Sequence, residues 1–167
     1  MLKRFEFNFR LSVASGIFTS AVLLLIPVTQ EVTVNFSKAV TAVLGICFWL
    51  GVAGIILFAV RTNSRRKKIE KKLKRSGTGI YSERQIGCIS FFKNKEAVVC
   101  DIVLFASAIT FAVLLWLKNS SQLLQFSLLS VIFLSFNLHC HLNGKNYVYI
   151  KLLKQYYKNK KGNVNND

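Results

Sequence analysis

The sequence lacks the short motifs by which many enzymes are recognised. It contains no H-E-x-x-H, no Gly-rich phosphate loop, no repeated-Asp motif for metal-bound pyrophosphate and no G-x-S-x-G. Acidic residues are scarce as well, since 7 Asp and Glu stand against 23 Lys and Arg. These absences argue against a zinc peptidase, a nucleotide-binding domain and a serine hydrolase. They leave no catalytic residue and no cofactor to assign from a motif.

Four cysteines are present, and no two of them form a C-x-x-C pair. This spacing argues against a thiol–disulfide oxidoreductase and a zinc ribbon. A zinc site made of Cys88, Cys100, Cys140 and a flanking histidine stays open as an alternative, because all of them fall on one predicted membrane face. The simpler prediction is four reduced, buried thiols that pack as small hydrophobic side chains, with no metal bound.

Apolar residues and positive charge are both abundant, and they occupy different parts of the chain. Apolar residues make up 52% of the sequence, and the net charge is +16. A helix needs about 20 residues to cross about 30 Å of hydrocarbon, where every backbone amide must be satisfied within the segment. We therefore predict an all-α polytopic membrane protein, a single membrane domain whose four transmembrane helices cover residues 11–28, 39–60, 97–117 and 122–141.

The first apolar run has one other interpretation, which is a signal peptide. It follows the basic stretch "MLKRFEFNFR", as a signal sequence would. It ends in "LLLIPVTQEV", however, without the pair of small residues at A-x-A spacing that a signal peptidase reads. We expect this helix to be retained.

The distribution of cations predicts the orientation. Twenty-one of the 23 Lys and Arg lie before the first run, between the second and third runs, or after the fourth. The positive-inside rule then places both termini and the connector 61–96 in the cytoplasm of a cell (inner) membrane. We expect two helical hairpins joined by this basic connector.

The first part of the connector, "RTNSRRKKIEKKLKR", holds nine cations and one Glu. It is read as a topology signal, as a site for anionic lipid headgroups, or as a nucleic-acid site. A nucleic-acid site is disfavoured, because the run lacks a domain scaffold and interleaved aromatic residues. No nucleic-acid partner is therefore expected. The predicted headgroup-binding residues are Arg65, Arg66, Lys67, Lys68, Lys71, Lys72, Lys74 and Arg75.

The last tail has a helical pattern. Tyr149, Leu152, Leu153 and Tyr156 follow i, i+3, i+4 and i+7 spacing, and lysines fall between them. This pattern predicts a C-terminal interfacial amphipathic helix over 146–158, with its tyrosines at headgroup depth. Alternatively, the same face packs on the segment "IGCISFF".

Asp101 is the one acid inside an apolar run, so it should face the bundle and have a partner. The fourth helix runs the other way and supplies Asn137 at matching depth, with His141 one turn nearer the cytoplasm. We predict a polar cluster of Asp101, Asn137 and His141, with His139 on a different helix face. An Asp–His pair can move protons, but no nucleophile, oxyanion site or second acid accompanies it, which favours a structural role.

Small residues suggest where helices approach each other. Ser12, Gly16 and Ser20 recur every four residues in the first run, and Gly45, Gly51 and Gly54 occur in the second. Small side chains allow close packing where water supplies no hydrophobic driving force. The pattern fits packing within the chain as well as dimerisation.

The segments "FFKNKEA" before the third run and "NGKNYVYI" after the fourth resemble a group of small, uncharacterised four-helix membrane proteins of low-GC bacteria. The resemblance implies the same topology and transfers no activity. We predict a non-catalytic accessory, regulatory or immunity-type component that acts through anionic lipid, a larger membrane partner or a second copy. The alternatives are a small transporter or channel subunit, and a membrane enzyme at the cytoplasmic face using Asp101, His139 and His141.

Overall fold

The computed structural model describes residues 2–32, 37–75, 90–118 and 121–164. Within these ranges the regular structure consists of five helices and no strand. The first four helices are long and apolar enough to cross a membrane. For the described residues, the predictions of an all-helical fold and of four candidate spans are confirmed. The helices are α1 (Leu2–Val32), α2 (Ser37–Arg75), α3 (Val98–Leu117), α4 (Gln122–Leu142) and α5 (Lys145–Val164).

Helix α2 continues well beyond the apolar run that predicted it. Its 39 residues extend through the basic stretch to Arg75. Residues 61–75 contain no Gly or Pro and are rich in Lys and Arg, which are good helix formers, so nothing in them ends the helix. At 1.5 Å per residue, Arg75 lies about 21 Å along the helix beyond Arg61. The rest of the connector, from residue 76 to 89, is outside the described residues.

The helices pack in the order α2, α1, α4, α3. Helix α1 packs along both α2 and α4, and α4 also packs along α3. Small residues lie where α1 meets its neighbours. Gly51 of α2 lies directly against the Thr19 side chain, and the Ser130 hydroxyl of α4 donates a 2.6 Å hydrogen bond to the Ser20 carbonyl. The close approach of α1 to both neighbours agrees with the small-residue pattern in its sequence.

Helix α5 packs against the ends of α1 and α2. Tyr149 and Phe5 meet edge to face, with ring centroids 6.1 Å apart. Burial raises the pKa of Tyr149 to about 12. The predicted packing on "IGCISFF" falls mainly on residues outside the described ranges. We call the buried apolar cluster that joins the three helices the docking core; it consists of Phe5, Ile69, Tyr149, Ile150 and Leu153.

Candidate functional site

A buried carboxylate and a buried imidazole join α3 to α4. Asp101, in the first turn of α3, and His139, near the end of α4, both have fully buried side chains. One Asp101 oxygen contacts Nδ1 of His139, and the other accepts a 2.6 Å hydrogen bond from the Phe92 backbone N–H. Both oxygens of this carboxylate therefore have a partner, as burial away from water requires.

His139 is enclosed by further contacts. The Phe91 ring stacks on its imidazole at 4.4 Å between centroids and 20° between planes. The Asn143 amide nitrogen lies 3.1 Å from Nε2. The same amide nitrogen lies 3.2 Å from Nδ1, the ring nitrogen that contacts Asp101, so Asn143 sits beside both nitrogens of the imidazole. Asn143 follows His139 by four residues, so the i, i+4 rule could have predicted this contact from the sequence.

Residues 91–94, which precede α3, cover the Asp101–His139 pair. Phe92 has a φ of 58°, a left-handed conformation that is unfavourable for a bulky residue. The hydrogen bond from its N–H to Asp101 holds it there. The Asn94 amide donates a 3.2 Å hydrogen bond to the Leu142 carbonyl, which fixes the same segment to the end of α4. The Asp101–His139 pair is thus covered by residues 91–94 on its open side.

The partner of Asp101 differs from the prediction, because it is His139 and not His141 or Asn137. His141 lies on the α1 side of α4, where Nε2 is 2.9 Å from the Ser12 hydroxyl and Nδ1 donates to the Asn137 carbonyl. The physical reason is helical rotation. Residues two apart on a helix point about 200° apart, so α4, lying between α1 and α3, turns His139 to one neighbour and His141 to the other. The depth of His139 and His141 along α4 does not by itself show which of them contacts Asp101.

Asn137 packs against α1. A Cβ atom built at Gly16 would overlap its side-chain amide, so this glycine provides the space that Asn137 occupies. The side-chain oxygen Oδ1 of Asn137 is buried and has no hydrogen-bond partner among the residues that the structure describes. The predicted polar cluster is therefore divided in two, with Asp101 at the α3 contact and Asn137 with His141 at the α1 contact.

The cysteines do not form a metal site in the described part of the chain. There, no group of three or more His, Cys, Asp or Glu side chains could hold a metal ion. Cys47, Cys100 and Cys140 are partly buried thiols that form no disulfide. Cys88, which the zinc alternative requires, lies outside the described ranges.

A groove of about 420 Å³ runs between α2 and α4, with α1 at its base. We call it the α2–α4 groove. Its apolar walls are formed mainly by Val52, Ile55, Ile56, Ala59, Phe133 and Phe136. Its polar side chains gather at the end nearest the basic part of α2, and they include Ser12, Thr62, His141 and Asn146. At this end the Arg66 Nε donates a 3.1 Å hydrogen bond to the Asn146 side chain. The volume is within the usual range for a small-molecule site.

The predicted headgroup-binding cations divide into two kinds. Arg66 is partly buried, forms a 2.6 Å ion pair with Glu70 and bonds to Asn63 and Asn146. It anchors α2 to α5. The remaining seven cations are exposed: Arg65, Lys67, Lys68, Lys71, Lys72, Lys74 and Arg75.

Two exposed ion pairs connect α5 with its surroundings. Lys151 pairs with Glu96, just before α3, and Lys154 lies 2.8 Å from Glu6 of α1. The hydrogen bond from Lys151 lowers the pKa of Glu96 and raises the pKa of Lys151. Exposed pairs of this kind add little stability, so the docking core and not these pairs holds α5 in place.

The four long apolar helices indicate a polytopic α-helical membrane protein. Comparisons with models of protein families, with curated proteins and with solved structures found no match. The resemblance to small four-helix membrane proteins of low-GC bacteria therefore stays a prediction.

Proposed function

We propose that this chain is a non-catalytic integral membrane protein of the cell membrane. It acts at the cytoplasmic face as an accessory, regulatory or immunity-type component, through anionic lipid headgroups and a membrane partner. In this proposal α1 with α2 and α3 with α4 form two hairpins. Both termini are cytoplasmic, and α5 is an amphipathic helix at the interface.

The observation that carries the proposal is the basic extension of α2. It continues an apolar helix without a break, and its Ile69 is buried in the docking core. Seven of its cations are exposed while the helix itself is held by α1 and α5. A surface that is already ordered loses little conformational entropy on binding, and each cation near anionic headgroups contributes about 1 kcal/mol.

The exposed cations of α2 differ in their distance from the membrane. Arg65 lies about 6 Å beyond Arg61 along the helix, whereas Arg75 lies about 21 Å beyond it. The Debye length at physiological salt is about 8 Å, so the field of the headgroups fades between the two. The proximal cations Arg65, Lys67 and Lys68 then act on lipid. The distal cations Lys72, Lys74 and Arg75 remain available to an acidic surface of a partner protein.

The buried pair supports a structural role over an enzymatic one. Asp101 and His139 are fully buried, and the contacts of Asp101 are to His139 and the Phe92 backbone. A general acid or base must reach a proton of its substrate. A transporter or channel would need a polar lumen or an accessible ionisable residue within the membrane, and Asp101 is occupied by His139.

The test compares two variants that remove the same charge. Full-length protein in vesicles is probed with spin-labelled phosphatidylglycerol and phosphatidylcholine, and the motionally restricted fraction of each lipid is measured. We expect a preference for phosphatidylglycerol that salt weakens. The triple variant Arg65→Gln, Lys67→Gln, Lys68→Gln should reduce this preference several-fold, and Lys72→Gln, Lys74→Gln, Arg75→Gln should retain most of it. Equal restriction of both lipids by the unmodified protein would refute the lipid part of the proposal.

A further inference from the structure

We propose that the α2–α4 groove holds one acyl chain of an anionic phospholipid, with the phosphate at the end lined by His141 and by Asn146, to which Arg66 donates a hydrogen bond. This inference rests on the proposed function, because it assigns one lipid of the same class to a defined place. It differs from the proposed function because it concerns a single retained lipid molecule and not the average composition of the surrounding lipid.

The walls of the groove suit a hydrocarbon chain. The lining residues of α2 recur at positions 52, 55, 56 and 59, which places them on one face of the helix. Phe133 and Phe136 of α4 form the opposite wall. The groove runs lengthwise between two candidate membrane helices, so hydrocarbon and not water is the medium next to it.

The inner end of the groove suits an anionic group. Arg66 has five N–H donors, and its contacts within the described part of the chain use three of them, on Asn146, Glu70 and Asn63. Two donors remain for a phosphate oxygen. The Ser12–His141 contact and the first turn of α5 border the same end, and positive partial charge gathers at a helix N-terminus.

The charge around this end is positive in excess. Glu70 neutralises Arg66 in part, but Arg65 and Lys67 flank Arg66 in the sequence and are exposed. An anionic headgroup at the groove end would therefore meet complementary charge. A zwitterionic headgroup would also bring its own cation into this positive region, and so should bind more weakly.

The size of the groove favours an acyl chain over a helix of another protein. A helix is about 10 Å across and rises 5.4 Å per turn, so about one turn of it would fill the 420 Å³ available. A single turn gives a partner helix little contact. A flexible chain can occupy the whole length of a narrow groove.

The experiment fills the groove with a side chain and counts retained lipid. Ala59 lines the groove, whereas Ala53 of the same helix is exposed and does not line it. Purified full-length protein in detergent is titrated with phosphatidylglycerol or with phosphatidylcholine of identical acyl chains, and bound lipid is counted by native mass spectrometry. We expect one phosphatidylglycerol per chain to be retained. Ala59→Phe should weaken its retention about tenfold or more, a change that Ala53→Phe should not produce.

Thermal unfolding of the lipid-free variants tests whether they fold. If Ala59→Phe does not fold, Ala59→Leu replaces it as a smaller filler. Three results would overturn the inference: no retained lipid, equal retention of both lipids, or equal loss in the Ala59 and Ala53 variants. The spin-label measurement distinguishes failure of this inference from failure of the proposed function. Ala59→Phe should leave the average preference for phosphatidylglycerol unchanged.

Discussion

Asp101 shows how a carboxylate can be stable in an apolar part of a chain. Its two oxygens are taken by His139 and by the Phe92 N–H, and aromatic rings cover the imidazole. Removing one member of such a pair leaves the other buried without its partner, which costs more than the pair contributes. Single substitutions of Asp101 or His139 should therefore lower the stability of the fold strongly.

Asp101→Leu should lower the free energy of unfolding by about 1–3 kcal/mol or more, because it removes the carboxylate that contacts His139 and that accepts the Phe92 N–H hydrogen bond. Asp101→Asn should cost less, since the amide still accepts hydrogen bonds. The measurement is thermal unfolding in detergent.

A double-mutant cycle supplies the control for this prediction. Asp101→Leu and His139→Leu should be partly redundant, whereas Asp101→Leu and His141→Leu should add, since His141 contacts α1. If stability is unchanged in every variant while a cellular phenotype is lost with Asp101→Asn, the pair is catalytic and the structural role is refuted.

At the scale of the helices, the sequence predicts which segments are helical better than how they face each other. Four apolar runs were enough to predict four long helices. The apolar run predicts α2 only to residue 60, because hydrophobicity falls there, whereas the helix continues to Arg75 since residues 61–75 contain no Gly or Pro. The partner of Asp101 was missed because the rotation of α4 depends on packing against α1 and α3, which no local pattern in α4 specifies. The i, i+4 spacing of His139 and Asn143 is a local signal for their contact in the sequence.

The contact of α1 with α4 is tested at two glycines. Gly16→Ala should lower the free energy of unfolding by about 1–3 kcal/mol, because the added methyl group overlaps the Asn137 amide. The same substitution at Gly45 meets nothing within 4 Å, and it should be neutral or stabilising by up to about 1 kcal/mol, since Ala is the better helix former. Thermal unfolding in detergent measures both. Equal effects at the two positions would show that α1 and α4 do not approach each other as described.

At the scale of the whole molecule, one arrangement accounts for the distribution of charge and for the contacts below the apolar helices. The start of α1, the basic end of α2 and α5 meet in the docking core, and the segment before α3 covers the Asp101–His139 pair. These parts must lie on the same side of the membrane to meet. In the proposed topology 21 of the 23 cations fall on that side, which the positive-inside rule assigns to the cytoplasm.

The most direct test of this account is the topology in intact cells. Single cysteines are placed at Gln30, Gly77, Ser120 and Asn163 in a chain whose four native cysteines have been replaced, and a membrane-impermeant maleimide is applied before and after permeabilisation. The account predicts that positions 30 and 120 react in intact cells, and that positions 77 and 163 react only after permeabilisation. Reaction of position 77 from outside in intact cells would contradict the cytoplasmic placement of the basic helix, and with it the proposed function.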